Sequence, residues 1–86
     1  MMNNLYTLNY EQISKLKALR KIVSKNKDIL SDYELLIIKD IIHFISNGKI
    51  ALTSNSKLIK LFKLFGIEMK QHELDENIYI IYKGDC

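Results

Sequence analysis

The sequence contains no proline or tryptophan and has few glycines, cysteines and arginines. With no proline and only three glycines, it has few obligatory breaks, so helices separated by short turns are expected. The single cysteine, Cys86, excludes an intramolecular disulfide. Cys86 is either an unused tail residue or the site of an intermolecular crosslink.

Long hydrophobic runs are also missing. No segment approaches the run of about eighteen apolar residues that a membrane span requires, and the start shows no signal-peptide pattern. We therefore expect a cytoplasmic protein without a membrane partner. Lysine outnumbers arginine twelve to one. This bias is typical of an AT-rich genome, and small proteins of this kind are common on phages and plasmids, which would place the chain in a host cytoplasm.

What is present is apolar content and an uneven charge distribution. The chain of 86 residues is 48% hydrophobic and includes fourteen isoleucines, which indicates one small folded domain spanning 1–86. Its net charge is +3; residues 1–31 carry +4, residues 32–66 carry +2 and residues 67–86 carry −3. Two surfaces of opposite sign are therefore expected.

Two helices are predicted in the first half. Asn9 and Gln12 resemble a capping pair before a helix over 10–25. The apolar stripe of that helix contains Ile13, Leu16, Leu19, Ile22 and Val23.

The second helix has a capping box of Ser31 and Glu34 and ends at Gly48, a left-handed cap. Its body is so apolar that it must be either the centre of the fold or part of a dimer interface. We therefore expect a homodimer.

The second half predicts a strand over 49–53, a helix over 57–65 closed by Gly66, and strands over 67–74 and 78–83 joined by a turn at 75–77. The last strand is apolar on both sides, so it should be central in its sheet. The fold class is α+β, with two N-terminal helices and a β-α-β-β unit that forms a three-stranded sheet.

No residue pattern predicts catalysis, a metal site, a cofactor or a small-molecule substrate, so we expect a protein that is not an enzyme. His43 lies on the polar strip of the second helix. His72 and Glu73 point to opposite faces of a strand, which disfavours joint metal ligation. Asp75 and Glu76 could form an acid/base pair, but a solvated turn is the simpler interpretation.

Lysines dominate two helices and suggest a phosphate-binding surface. Lys57, Lys60 and Lys63 recur every three residues, which places them about 60° apart on one face. The hydroxyls of Ser54 and Ser56 precede that helix and either bind an anion together with free backbone amides at the helix start or simply cap it. The predicted nucleic-acid contacts are Lys57, Lys60, Lys63, Ser54, Asn55, Lys15, Lys17, Arg20 and Lys21.

The element order from residue 32 onward, helix, strand, helix and hairpin, resembles that of a winged helix. It departs from that pattern because residues 54–65 have room for one helix where a winged helix has two. The resemblance implies a DNA-binding regulator, and the composition suggests that a phage or plasmid encodes it.

Two alternatives to DNA binding remain. In the first, the lysines on the amphipathic helices only keep the protein soluble. An inhibitor that blocks a host enzyme or defence protein by protein–protein contact would use the apolar excess of the second helix, a sheet edge or Tyr6, Tyr10 and Tyr33.

Overall fold

The computed structural model describes the backbone of residues 2–82 and the side chains of residues 11–82. Its elements are α1 (Met2–Ser24), α2 (Asp32–Ser46), β1 (Ala51–Thr53), α3 (Ser56–Leu64), β2 (Met69–Gln71) and β3 (Tyr79–Ile81). This is the α+β fold and the element order that the sequence predicts. Tyr6, Tyr10 and Cys86 have side chains outside the described residues, so the roles suggested for them stay expectations. Residue 83, the predicted end of the last strand, also lies outside them.

Helix α1 starts earlier than predicted, because Asn9 and Gln12 do not cap it. The helix continues through both positions, and Gln12 is buried instead. Its amide nitrogen donates to the Glu68 carbonyl at 2.7 Å, and its amide oxygen accepts from the Glu68 N–H at 3.0 Å. One side chain thus pairs with the backbone just before β2, as a neighbouring strand would, and ties α1 to the sheet.

The buried face of α1 is also narrower than predicted. Leu16, Leu19 and Val23 are at most 1% exposed, whereas Ile22 is 48% exposed. Ile22 lies about 100° around the helix from Val23, which is beyond the arc that meets the core. The inclusion of Ile22 in the buried stripe is therefore wrong.

Helix α2 begins as predicted. The Ser31 hydroxyl accepts from the Glu34 N–H at 3.3 Å, and the Glu34 carboxylate accepts from the Ser31 N–H at 3.0 Å, which completes the capping box. Gly48 follows the helix end with φ 75°, a left-handed conformation that glycine adopts without strain.

Only one face of α2 is covered by the rest of the described chain. Ile38, Ile41, Ile42 and Ile45 are buried, but Leu36 is 57% exposed and Phe44 43% exposed. The helix is therefore not enclosed as a central element would be, and its outer face keeps an apolar surface.

The three strands form one antiparallel sheet in the order β1-β3-β2, so β3 is central as predicted. Ala51 and Met69 both pair with Ile81, which is fully buried on the inner face. Each strand has three residues and is shorter than its predicted segment. One helix, α3, lies between β1 and the β2–β3 hairpin, so the predicted departure from the winged-helix pattern is present.

The core lies between the helices and the inner face of the sheet. Its largest fully buried side chains are Phe62, Leu16, Leu19, Leu30, Ile38, Ile45, Leu58, Ile81 and Val23. Leu58 and Phe62 come from α3, so the apolar side of this helix is fixed to the core and its opposite side faces solvent.

Candidate nucleic-acid interface

The start of α3 is fixed by Asn55, which caps the helix. Its side-chain oxygen accepts from the Leu58 N–H at 3.1 Å, and its side-chain nitrogen donates to Glu34 at 3.1 Å. The capping interpretation of Asn55 thus has a direct structural basis. Both polar atoms of its side chain already have partners within the fold, so the main role of Asn55 is to position the start of α3.

The Glu34 carboxylate connects α2 with α3. It accepts from the backbone and hydroxyl of Ser31 and from Asn55, and it lies 3.7 Å from the Lys57 ammonium. The pKa of Glu34 is lowered below its ordinary value of 4.5, mainly by the hydrogen bond from the Ser31 backbone N–H and next by the hydrogen bond from the Asn55 side chain. Lys57 therefore faces a carboxylate that is ionised at neutral pH. That carboxylate neutralises part of the positive charge of Lys57.

A groove opens between α3 and the turn of the hairpin. We call it the α3 groove; it has a volume of about 360 Å³ and opens to solvent. It is lined by Ser54, Ser56, Ile59, Lys60, Lys63, Glu76, Asn77 and Tyr79. Three of the predicted contact residues, Ser54, Lys60 and Lys63, thus meet in one concavity.

Two lysines give the α3 groove its positive charge. Among the side chains of residues 11–82, neither Lys60 nor Lys63 forms an ion pair with a carboxylate. Lys63 lies 5.0 Å from the centre of the Tyr79 ring and 3.5 Å from its hydroxyl oxygen. This cation–π contact keeps the ammonium at the groove without neutralising it.

Glu76 brings a negative charge to the hairpin side of the α3 groove. The neighbouring turn is ordered by its own side chains, because the Asp75 carboxylate accepts from the Asn77 N–H at 2.9 Å and Gln71 donates to the Glu76 carbonyl at 2.8 Å. Asp75 and Glu76 are both exposed, as expected for a solvated turn. An anion in the groove is therefore attracted to the α3 side and repelled by the turn.

The predicted residues of α1 do not form one patch. Lys17, Arg20 and Lys21 are exposed within an arc of about 100° on the helix surface. Lys15 lies on the opposite flank, where its ammonium donates to the Gly66 carbonyl at 3.2 Å and lies 3.6 Å from Glu11. The structure thus separates Lys15 from the other three, and residues 17–21 remain a second basic patch.

The histidines and acidic residues form no metal site within the part of the chain that the structure describes. His72 uses its Nδ1 to accept from the Leu74 N–H at 3.0 Å. His43 is exposed on α2 beside Phe44. Among residues 2–82, no helix combines the length and apolarity that crossing a bilayer requires.

Sequence reasoning missed Tyr79 and Glu76 as parts of the site. The sequence identifies Tyr79 only as a strand residue. Its contact with Lys63 depends on the central position of β3 and on α3 lying next to that strand, and this placement of α3 is not visible in the sequence. The acidic turn was visible in the sequence, but its position opposite Lys60 was not. No protein-family model, curated protein or solved structure matches the chain.

Proposed function

We propose that this chain is a non-enzymatic nucleic-acid-binding protein whose contact surface is centred on the α3 groove. The observation that carries the proposal is the convergence of Lys60 and Lys63, both without a carboxylate partner within residues 11–82, on a concavity that also contains the Ser54 and Ser56 hydroxyls. Ammonium and hydroxyl groups are the side chains that most often contact phosphate oxygens. A regulator encoded by a phage or plasmid remains the setting that the composition suggests.

The lysines of α3 contribute unequally to this surface. Lys60 and Lys63 supply the main attraction to phosphate, while Lys57 contributes less because it faces Glu34 at 3.7 Å. The exposed residues Lys17 and Lys21 on α1 add non-specific attraction. With one arginine in the whole chain, contacts to the backbone rather than to guanine edges dominate.

A mobility-shift titration with duplex and single-stranded DNA, at two salt concentrations, tests the proposal. Wild-type protein should bind with a dissociation constant of about 10⁻⁶ M or lower, and the affinity should fall steeply as the salt concentration rises. The double variant Lys60→Gln/Lys63→Gln should bind much more weakly. The matched control, Lys39→Gln/Lys70→Gln, removes two exposed lysines outside the α3 groove and should bind like wild type.

The sign of the charge gives a second test. Glu76→Gln removes the negative charge of a residue that lines the α3 groove and should strengthen binding several-fold. Glu73→Gln makes the same change in charge on an exposed residue that does not line the groove and should have a smaller effect. Equal gains from both variants would mean that net charge alone, and not the groove, attracts the nucleic acid.

A protein–protein inhibitor is the second candidate function, and a specific surface favours it. Leu52 is 54% exposed on the edge strand β1, where it pairs with the half-buried Ile80 on the outer face of the sheet. Ile50, just before the strand, is 59% exposed. Exposed apolar side chains on an open edge favour contact with another chain. If no nucleic acid binds at low salt, proteins captured by the wild type but not by Leu52→Lys would support this function.

We also propose a homodimer through the outer face of α2. Leu36 and Phe44 leave apolar surface on this face, and Tyr33 is 71% exposed beside them. Light scattering at tens of micromolar should report twice the chain mass of 10.1 kDa. Leu36→Lys should shift the protein to the monomer. A strict monomer for the wild type at that concentration would end the dimer proposal without affecting the α3 groove.

A further inference from the structure

We infer that the α3 groove accepts an unpaired nucleotide, so that the preferred ligand is single-stranded rather than duplex nucleic acid. This inference rests on the proposed function and specifies its ligand. It is argued from the shape of the groove, from the aromatic ring inside it and from the position of its charges.

The groove is an open concavity with room for one unpaired base. Its volume of about 360 Å³ is at the low end of ordinary ligand sites, which measure about 300–1,000 Å³. A paired base is held inside a duplex and enters such a recess only after it is flipped out. An unpaired base needs no flipping and loses less stacking energy. A concave site therefore favours a single strand, whereas a flat or protruding basic face would suit a duplex.

Tyr79 provides the aromatic ring on which a base would stack, and the base would displace the Lys63 ammonium, which lies 5.0 Å from the ring centre, towards the neighbouring phosphate. Tyr79 lines the groove together with the aliphatic residue Ile59 and the hydroxyl-bearing Ser54 and Ser56. Because all bases have a π-face, stacking on such a ring binds single strands with little sequence preference. The ring is half-buried in the central strand β3, where Tyr79 pairs with Thr53 and Gln71, so it is held in place before a ligand binds.

The phosphate would lie next to the same ring. Lys63 donates towards the Tyr79 hydroxyl oxygen at 3.5 Å, which leaves the phenolic hydrogen available to a phosphate oxygen. Lys60 adds a second ammonium on the same side of the groove. Glu76 lies on the hairpin side and repels phosphate, so it restricts the backbone to the α3 side. A duplex brings a second phosphate strand nearby, which this carboxylate opposes.

Fluorescence anisotropy with a labelled oligonucleotide tests the inference. The probes are a mixed-sequence single strand of about twelve nucleotides and the blunt-ended duplex that the same strand forms with its complement. Wild-type protein should bind the single strand roughly tenfold more tightly than the duplex, which corresponds to one stacked base. Tyr79→Ala should abolish this preference, and Tyr79→Phe, which keeps the ring, should retain most of it.

Because Tyr79→Ala removes a half-buried side chain from the central strand, Tyr79→Leu serves as the variant that retains bulk. Tyr79→Leu keeps the apolar volume and lacks the π-system, so it should fold like wild type and lose the preference for the single strand. Thermal unfolding verifies that each variant is folded.

The outcomes separate the inference from the proposed function. Equal affinity for both probes, with Tyr79→Leu unchanged and Lys60→Gln/Lys63→Gln defective, would overturn the single-strand inference and leave nucleic-acid binding in place. The absence of binding to either probe at low salt would overturn the proposed function itself. A preference for the single strand that is lost with the ring supports both.

Discussion

Replacing Asn55 with aspartate is expected to destabilise the protein, although both residues are good helix caps in general. The side-chain oxygen of Asn55 caps α3 at Leu58, and an aspartate oxygen would do the same. The side-chain nitrogen, however, donates to Glu34 at 3.1 Å. An aspartate would replace this donor with a second carboxylate, and two negative charges would face each other.

The magnitude follows from the cap. Asn55→Ala removes the capping interaction, which is worth about 1 kcal/mol and, in a domain of this size, lowers the melting temperature by roughly 4–8 °C. Asn55→Asp keeps the cap but replaces the donor to Glu34 with a second carboxylate, so at pH 7 its melting temperature should fall several degrees below that of wild type.

Circular dichroism melting curves at pH 7 measure this effect, and a double-mutant cycle isolates its cause. In the Glu34→Gln background the repulsion is absent, so Asn55→Asp should melt at the same temperature as Glu34→Gln alone. If Asn55→Asp melts at the same temperature as wild type at pH 7, the link between α2 and α3 through Glu34 is refuted.

Two further predictions concern buried polar groups. The pKa of Glu34 lies below 4.5 in the folded protein, so the contribution of Glu34 to stability is complete above that pH and is lost as the pH falls through the lowered pKa. Urea unfolding at a series of acidic pH values should show that wild type loses stability that Glu34→Gln does not lose. Parallel pH profiles for the two proteins would contradict this. Gln12→Ala removes two hydrogen bonds to Glu68 and should lower the unfolding free energy by about 1–3 kcal/mol. The exposed neighbour Glu11→Ala should be nearly neutral, and equal stability of both variants would show that the Gln12 contact is unimportant.

Local signals in the sequence predicted the parts of the fold that depend on neighbouring residues. The start of α2 could be predicted because Ser31 and Glu34 satisfy each other within one turn. The stop at Gly48 could be predicted because glycine adopts φ 75° without strain. The central position of β3 was predicted from its run of apolar residues, and β3 lies between β1 and β2 in the sheet.

Long-range contacts account for what could not be predicted. Gln12 reads as a capping residue in the sequence, but its partner Glu68 lies 56 positions away, and nothing local indicates that pairing. Glu34 reads as part of a capping box, but its contact with Asn55 crosses 21 positions. For the candidate site, the lysine face of α3 was predictable from spacing alone. The groove was not, because it requires the hairpin to fold back beside the helix.

Amide-resolved NMR during titration with a single-stranded oligonucleotide tests the central claim most directly. If nucleic acid binds in the α3 groove, the largest shift changes should fall on residues 54–63 and 76–79, with smaller changes on residues 17–21 of α1. Changes confined to α2 and to the outer face of the sheet around Leu52, or no changes at all at low salt, would contradict the account.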